Sequence, residues 1–342
     1  METNEIINKY IGLRPLYKKL AANVSIIIEE LLELHNVNFH AVNYRAKTVE
    51  SFSEKIKKPK YTDPLIQLTD FAGIRIIGYV EDDVNQIAKI IEANFEIDKN
   101  HSLDKSLELG VDRVGYKSVH YVCTLPKNRT ILPEFDRFKD LKFEIQIRTI
   151  LQHSWAEIEH DKNYKFSGEL PPEIQRRFKL VAGSLELADR EFNQLSREID
   201  NYSKTVQESA EKGDLDIKLN STALKQFLTV RFEKLILTGL RPDFNGRESY
   251  ILGELRRFGI KTLSDLDKII DKRITGLNLK GSVYGNFLGL VRNIMMLNDL
   301  EKYFTKSHRN DWGVLDASSK RVLAKLGVDT SKVEEYLSNA DK

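Results

Sequence analysis

Residues 143–165 read FEIQIRTILQHSWAEIEHDKNYK, and the change of period inside them decides what kind of domain surrounds them. Up to Arg148 the pattern alternates, with Phe143, Ile145 and Ile147 against Glu144, Gln146 and Arg148, which predicts a strand with one buried face. From Thr149 the repeat lengthens: Leu151, Trp155 and Ile158 fall on one side of a helix, His153, Glu157, His160 and Asp161 on a more polar one. Thr149 stands where an N-cap is needed. A strand that runs straight into a helix is a common place to build a site. Taken alone, though, Glu144, Gln146 and Arg148 also fit the solvated face of an antiparallel strand.

Upstream, Phe71 to Val80 (FAGIRIIGYV) reads as a buried strand in which Arg75 is an unexpected charge that needs a partner or a ligand. Glu81 to Asn94 follows as a helix with Val84, Ile87, Ile90 and Ile91 inward, then a short strand at Phe95 to Asp98 and a polar loop from Lys99 to Val114. Gly115 to Leu125 is a strand entered through glycine, and its second half should lie antiparallel to Leu141 to Arg148. Helices alternating with strands in this way predict a mixed α/β sheet. Before it, apolar residues from Leu13 to Leu34 at steps of three and four mark a long amphipathic packing helix. Residues 42–57 read as a second helix, carrying Arg45, Lys47, Ser51 and Lys55 on neighbouring turns and broken by Pro59.

Downstream, Pro171 and Pro172 open a helix whose Ile174, Phe178, Val181, Leu185, Ala188, Phe192, Leu195 and Ile199 keep a 4-3-4-3 rhythm, a heptad seam for packing within the chain or on a second subunit. Ser203 to Asp216 reads as a polar linker. The remainder is all-helical, with segments near 221–238, 246–258, 263–272, 284–305, 317–326 and 331–338. Two of these meet at Gly259 in LRRFGIKTLSDLDKII, which faintly resembles a helix-hairpin-helix that touches nucleic-acid backbone; two packed helices of a small bundle read the same. The expected organisation is an N-terminal helical segment (1–40), a mixed α/β domain (41–202) and a helical C-terminal domain (203–342).

Composition allows all of this without special devices. The 342 residues carry a net charge of +2, with 24 Lys/Arg against 19 Asp/Glu in 201–342 and 29 against 32 before it. That is a tilt rather than a basic tail. One cysteine, Cys123, excludes an internal disulfide framework and a cysteine metal cluster, so a buried thiol is expected. No signal-like N-terminus and no membrane-length apolar run is visible, which makes a cytoplasmic protein without membrane contact the expectation.

P-loop, GxGxxG, HExxH and Cys-His zinc spacings are all absent. Four other stretches stand in order: Arg45-x-Lys47-x-x-x-Ser51-x-x-x-Lys55; Asp70-Phe-Ala-Gly73-Ile-Arg75; Gly115-Tyr116-Lys-Ser118-Val-His120-Tyr121; and Glu144-Ile-Gln146-Ile-Arg148-Thr149 running into His153-x-Trp155-Ala-Glu157-x-Glu159-His160. Over residues 40 to 195 the chain thereby resembles the synthetase domain of the RelA/SpoT family of alarmone synthetases, in a stand-alone form without the hydrolase domain of its long members. The resemblance implies a nucleotidyltransferase-like mixed β-sheet flanked by helices and a pyrophosphokinase. In that reaction the acceptor 3'-hydroxyl of GDP or GTP attacks the β-phosphorus of ATP, and AMP leaves.

By the same resemblance Asp70 is a Mg2+ ligand, and Glu144 is a second ligand, the general base, or both. Arg45 and Arg75 sandwich the adenine while Lys47, Ser51 and Lys55 reach the ATP phosphates. Tyr116 stacks on guanine; His120, Gln146 and Arg148 hold the acceptor. His153, Glu157, His160 and Lys165 match family positions without an assigned role. Each has an ordinary alternative: a turn aspartate for Asp70, a solvated helix face for the lysines, a half-buried structural histidine for His120 and a core position for Trp155. Three further readings stay open: a toxin-type relative that places pyrophosphate on the 3'-terminal adenosine of tRNA, an inactive nucleotide sensor, and a homo-oligomer. The C-terminal helices are expected to regulate or target the enzyme.

Overall fold

The computed structural model describes residues 3–59, 61–104, 118–165, 170–275, 285–309, 312–313, 315 and 317–340. Two compact units emerge, Met1–Ser196 and Arg197–Lys342, so the division falls inside a helix and six residues before the expected boundary at 202.

In the first unit the strands β1 (Ala41–Ala46), β2 (Ala72–Gly78), β3 (Glu96–Ile97), β4 (Leu103–Asp104), β5 (Val119–Thr124) and β6 (Phe143–Thr149) form one mixed sheet in the order β1-β2-β6-β5-β3, with β4 also on β5. β2 and β6 run parallel at its centre, and the other pairings are antiparallel. Alternation sorts the side chains: Ile74, Ile76, Phe143, Ile145 and Ile147 are buried in one core with Leu20, Val24 and Ile28 of α1 (Thr3–Leu34) and Val84, Ile87 and Ile91 of a helix at Glu81–Asn94. The opposite face of the central strands carries Arg75, Glu144, Gln146 and Arg148. Cys123 is fully buried, and burial pushes its thiol up.

The predicted helix over 42–57 is corrected. Its first half is β1, and only α2 (Val49–Ile56) is helical. Two local preferences favour this break: Val42, Tyr44 and Ala46 alternate and pair with the isoleucine-rich β2, while Thr48 takes the N-cap, its Oγ1 accepting Ser51 N–H at 3.2 Å. α3 (Pro64–Gln67) leads into β2, α4 is the Glu81–Asn94 helix and α5 (Lys127–Thr130) precedes β6. At the β6 terminus Thr149 does cap α6 (Ile150–Lys165). Its Oγ1 accepts Gln152 N–H at 3.1 Å, and the Gln152 side chain accepts the Thr149 N–H at 3.0 Å. Ile158 of α6 is exposed, contrary to the expected apolar side.

α7 (Pro172–Lys212) begins as expected but runs through residues read as a linker. Nothing between Ser203 and Lys212 opposes a helix; Gly213, at φ +79°, ends it. Within the chain the heptad seam is not the packed face: Ile174, Val181, Phe192, Leu195 and Ile199 are exposed, and Ala182, Asp189 and Asn193 are buried instead. Two hydrogen bonds explain the preference, from Thr149 Oγ1 to Asp189 (2.7 Å) and from Asp82 N–H to Asn193 (2.9 Å).

The described elements of the second unit are helices joined by turns and loops, and the unit has its own core, including Phe227, Leu255, Phe258, Ile294 and Leu323. It contains α8 (Ser221–Arg231), α9 (Glu233–Ile236), α10 (Glu248–Phe258), α11 (Leu263–Lys268), α12 (Lys272–Thr275), α13 (Phe287–Asn298), α14 (Leu300–Lys302), α15 (Ala317–Lys325) and α16 (Thr330–Ala340). Inside it Arg292 binds Glu254 through two nitrogens, Tyr303 donates to Glu254 at 3.0 Å, and Trp312 Nε1 donates to Tyr303 Oη at 3.1 Å. No helix among the described residues is long and apolar enough to cross a membrane.

Candidate active site

Sheet register gathers most of the predicted residues. Across the strands Arg45 lies opposite Gly73 and Gly73 opposite Glu144; one step along, Asn43 is opposite Arg75, Arg75 opposite Gln146 and Gln146 opposite His120. Because β-strand side chains alternate, these two rows share one face. A cavity of about 350 Å3 lies on it, lined by Arg45, Lys47, Ser51, Asp70, Arg75, Glu144 and Gln146 among others. Glycine at position 73 keeps the middle of the first row free of a side chain.

Asp70, just before β2, is the electrostatic centre. Its Oδ2 accepts Lys47 Nζ at 2.6 Å and Lys55 Nζ at 2.7 Å, the first lysine arriving from the end of β1 and the second from the last turn of α2. Burial by itself raises the carboxyl's pKa, but the two lysines outweigh it and hold the group below its ordinary range. Oδ1 is buried without a hydrogen-bond partner. Glu144 is balanced in the same way. Burial and the Asp70 charge act to raise it, His120 Nδ1 at 3.0 Å and Gln146 Nε2 at 2.8 Å lower it, and the net direction is down. Two ionised carboxylates thus face one cavity.

Around them, Arg75 Nη1 is 2.6 Å from Glu157 of α6, whose carboxylate also lies 4.0 Å from His153 Nδ1. Burial first, then the charges of Arg75 and Arg148, keeps His153 below the usual histidine pKa. Arg148 is buried on β6. Tyr116 lies outside the described residues, as do the side chains of His160 and Lys165. Sequence reasoning passed over Asn43, Tyr44 and Thr48, which also line the cavity. Their signal was the short alternation in β1, hidden by reading that segment as helix.

An oxygen-seeking divalent cation fits this donor set. Mg2+ takes one or two carboxylates and completes its shell with phosphate and water, and the unpartnered Asp70 Oδ1, at the cavity Glu144 also lines, matches that demand. Among the described residues no group of three or more His, Cys, Asp or Glu forms an all-protein metal cage. The helix-hairpin-helix resemblance fares differently. Its turn amides are already taken: Gly259 and Ile260 by Arg256 and Leu255 carbonyls, Lys261 and Thr262 by the Asp265 carboxylate, Leu263 and Ser264 by Ile217 and Leu215 carbonyls. The turn keeps no amide for a nucleic-acid phosphate.

The family described as the region found in RelA / SpoT proteins matches residues 44–169. GTP pyrophosphokinase YjbM of Bacillus subtilis (strain 168) is 30% identical over 162 residues, covering 46% of this chain and 72% of that protein. GTP pyrophosphokinase YwaC of the same organism is 27% identical over 187 residues, 53% of this chain and 85% of its own. A solved structure of small alarmone synthetase 1 from Bacillus subtilis aligns at 25% identity with a TM-score of 0.49, over 57% of this chain and 99% of that one.

Proposed function

This chain belongs to the RelA/SpoT family, and from that premise we propose that it is a GTP pyrophosphokinase, transferring the β,γ-pyrophosphate of ATP to the 3'-hydroxyl of GDP or GTP. The observation that carries the reading is that Asp70 and Glu144 line one cavity with Arg45, Lys47 and Arg75, and that Lys55 joins them through Asp70. Two nucleotides bring many negative charges together, and such a reaction needs cations to neutralise them and a base to take one proton.

In this reading Arg45 and Arg75 present planar, always-charged guanidiniums to the adenine. Lys47 and Lys55 meet the ATP phosphates, with Ser51 beside them. Asp70 and Glu144 would hold Mg2+, which when bound would neutralise charge on the phosphates. Glu144 takes the proton of the acceptor 3'-hydroxyl; the oxygen bonds to the β-phosphorus, and the bond from that phosphorus to the α-phosphate oxygen breaks to release AMP. His120 and Gln146 serve this step by holding Glu144, a narrower task than direct acceptor binding. Arg148 and Tyr116 stay assigned to the acceptor. Glu157 orients Arg75, and the second unit regulates or targets the enzyme.

Incubation with γ-labelled ATP tests the reading. Label on a guanosine product, together with AMP, is expected from GDP or GTP, and Glu144→Gln should lower kcat by about 10^2 to 10^4 with nucleotide binding retained. Label appearing only on deacylated tRNA would replace the acceptor. An absence of transfer to any acceptor would make the chain a nucleotide sensor.

A further inference from the structure

We infer that Tyr10 and Arg14 are positioning residues of the transfer site, fixing Lys47 through its carbonyl oxygen from a helix whose sequence reads as packing alone. The inference deepens the proposed function and rests on Lys47 meeting the ATP phosphates. Lys47 sits one residue beyond β1 and one before the Thr48 cap, where neither ladder nor helix holds its carbonyl. Two side chains of α1 do so instead: Tyr10 Oη donates to it at 2.6 Å and Arg14 Nε at 3.0 Å. On the other side, Lys47 N–H donates to the Phe71 carbonyl at 2.9 Å, one residue from Asp70. The backbone N–H and C=O of this residue are therefore both tied, and Nζ is delivered to Asp70 at 2.6 Å.

The Tyr10 ring adds a second coupling. It is fully buried, stacked on Phe52 of α2 with centroids 4.2 Å apart, and 5.1 Å from Phe71. Phe52 follows Ser51, and Phe71 follows Asp70. One tyrosine thus touches the supports of Lys47, Ser51 and Asp70 together, and its hydroxyl points at the backbone of the lysine that must be in place. A buried tyrosine hydroxyl requires some partner, but a carbonyl already reached by an arginine is more than satisfaction demands. Locking a catalytic cation by its backbone limits the movement that lowers rate; a misplacement of about 1 Å costs on the order of a hundredfold.

Tyr10→Phe removes the hydroxyl and keeps the ring stack; Arg14→Gln removes the charged donor. The double variant is expected to lose about ten- to a hundredfold in kcat for transfer from ATP to GDP, with KM for GDP unchanged. Arg14→Lys should recover part of the loss, because an ammonium still reaches the carbonyl. Ile28→Ala is the contrast. Ile28 is fully buried on the same helix, about 20 Å along it from Arg14, so its loss should lower Tm and leave kcat at a temperature below unfolding unchanged. A folded double variant with wild-type kcat and KM for ATP overturns the inference; if the double variant does not fold, Tyr10→Phe alone decides by the same criterion. Should the wild-type protein transfer nothing, the proposed function fails separately. Affinity for α,β-methylene-ATP then decides: weaker binding by the variant supports positioning, and equal binding refutes it.

Discussion

Glu144, the proposed base, has neighbours that pull its ionisation in opposite directions. Burial and the nearby Asp70 favour its neutral form, whereas the contacts from His120 and Gln146 favour the carboxylate and prevail. A carboxyl whose folded pKa lies below the unfolded value contributes stability that is fully present above the unfolded value and lost as pH falls through the folded one. Its competence as a base disappears in the same direction. The acidic limb of kcat/KM should therefore lie below the ordinary 4.5 of a glutamate in the wild-type protein. Removing a lowering contact leaves burial and Asp70 in command, so His120→Ala should shift that limb upward, and Gln146→Ala should shift it the same way. A pH–rate profile of each variant checks this, and an unmoved limb would mean that Glu144 is not the titrating base.

At the level of elements, legibility followed the strength of local signals. β2, α4 and β6 were readable because an isoleucine-rich run or a strict period leaves one solution, and the four motifs located Asp70 just before β2, Arg75 within it and Glu144 within β6. β1 was not, because a six-residue edge strand alternates too briefly to outweigh the helical spacing of Arg45, Lys47, Ser51 and Lys55. Pairing with β2, a contact distant in sequence, decides it. The seam of α7 differs for a related reason: its apolar periodicity suggested a face packed within the chain or on a second subunit, while within the chain the fold selected a polar one through Asp189 and Asn193. Thr149 joins these levels. Its hydroxyl caps α6 and donates to the buried Asp189 of α7 at 2.7 Å. Thr149→Val keeps the shape and deletes both bonds, and should destabilise the first unit by about 1 to 3 kcal/mol. Thr149→Ser should cost much less. Urea unfolding of the two variants provides the comparison, and equal midpoints would show that the hydroxyl joins nothing.

For the whole molecule, the consequence of two units is two cores with different kinds of glue. The first is apolar beneath the polar sheet face that lines the candidate site. The second buries an ion pair within its core: Glu254 is fully buried, bound by Arg292 on two nitrogens and by Tyr303, with Trp312 donating to the tyrosine. Sequence could not reveal this network, since Glu254 and Arg292 are 38 residues apart and each alone looks like a surface charge. Removing one partner of a buried pair strands the other and typically costs about 3 to 5 kcal/mol, whereas replacing both with apolar groups of similar size is often neutral. Glu254→Leu should therefore lower the unfolding transition of the second unit steeply, while Glu254→Leu combined with Arg292→Met should regain much of the loss. Units with separate cores unfold in separable steps, so the first unit's transition should stay in place in both variants. Calorimetry reads both transitions in one scan; a common downward shift of both would show that the two cores melt as one cooperative body.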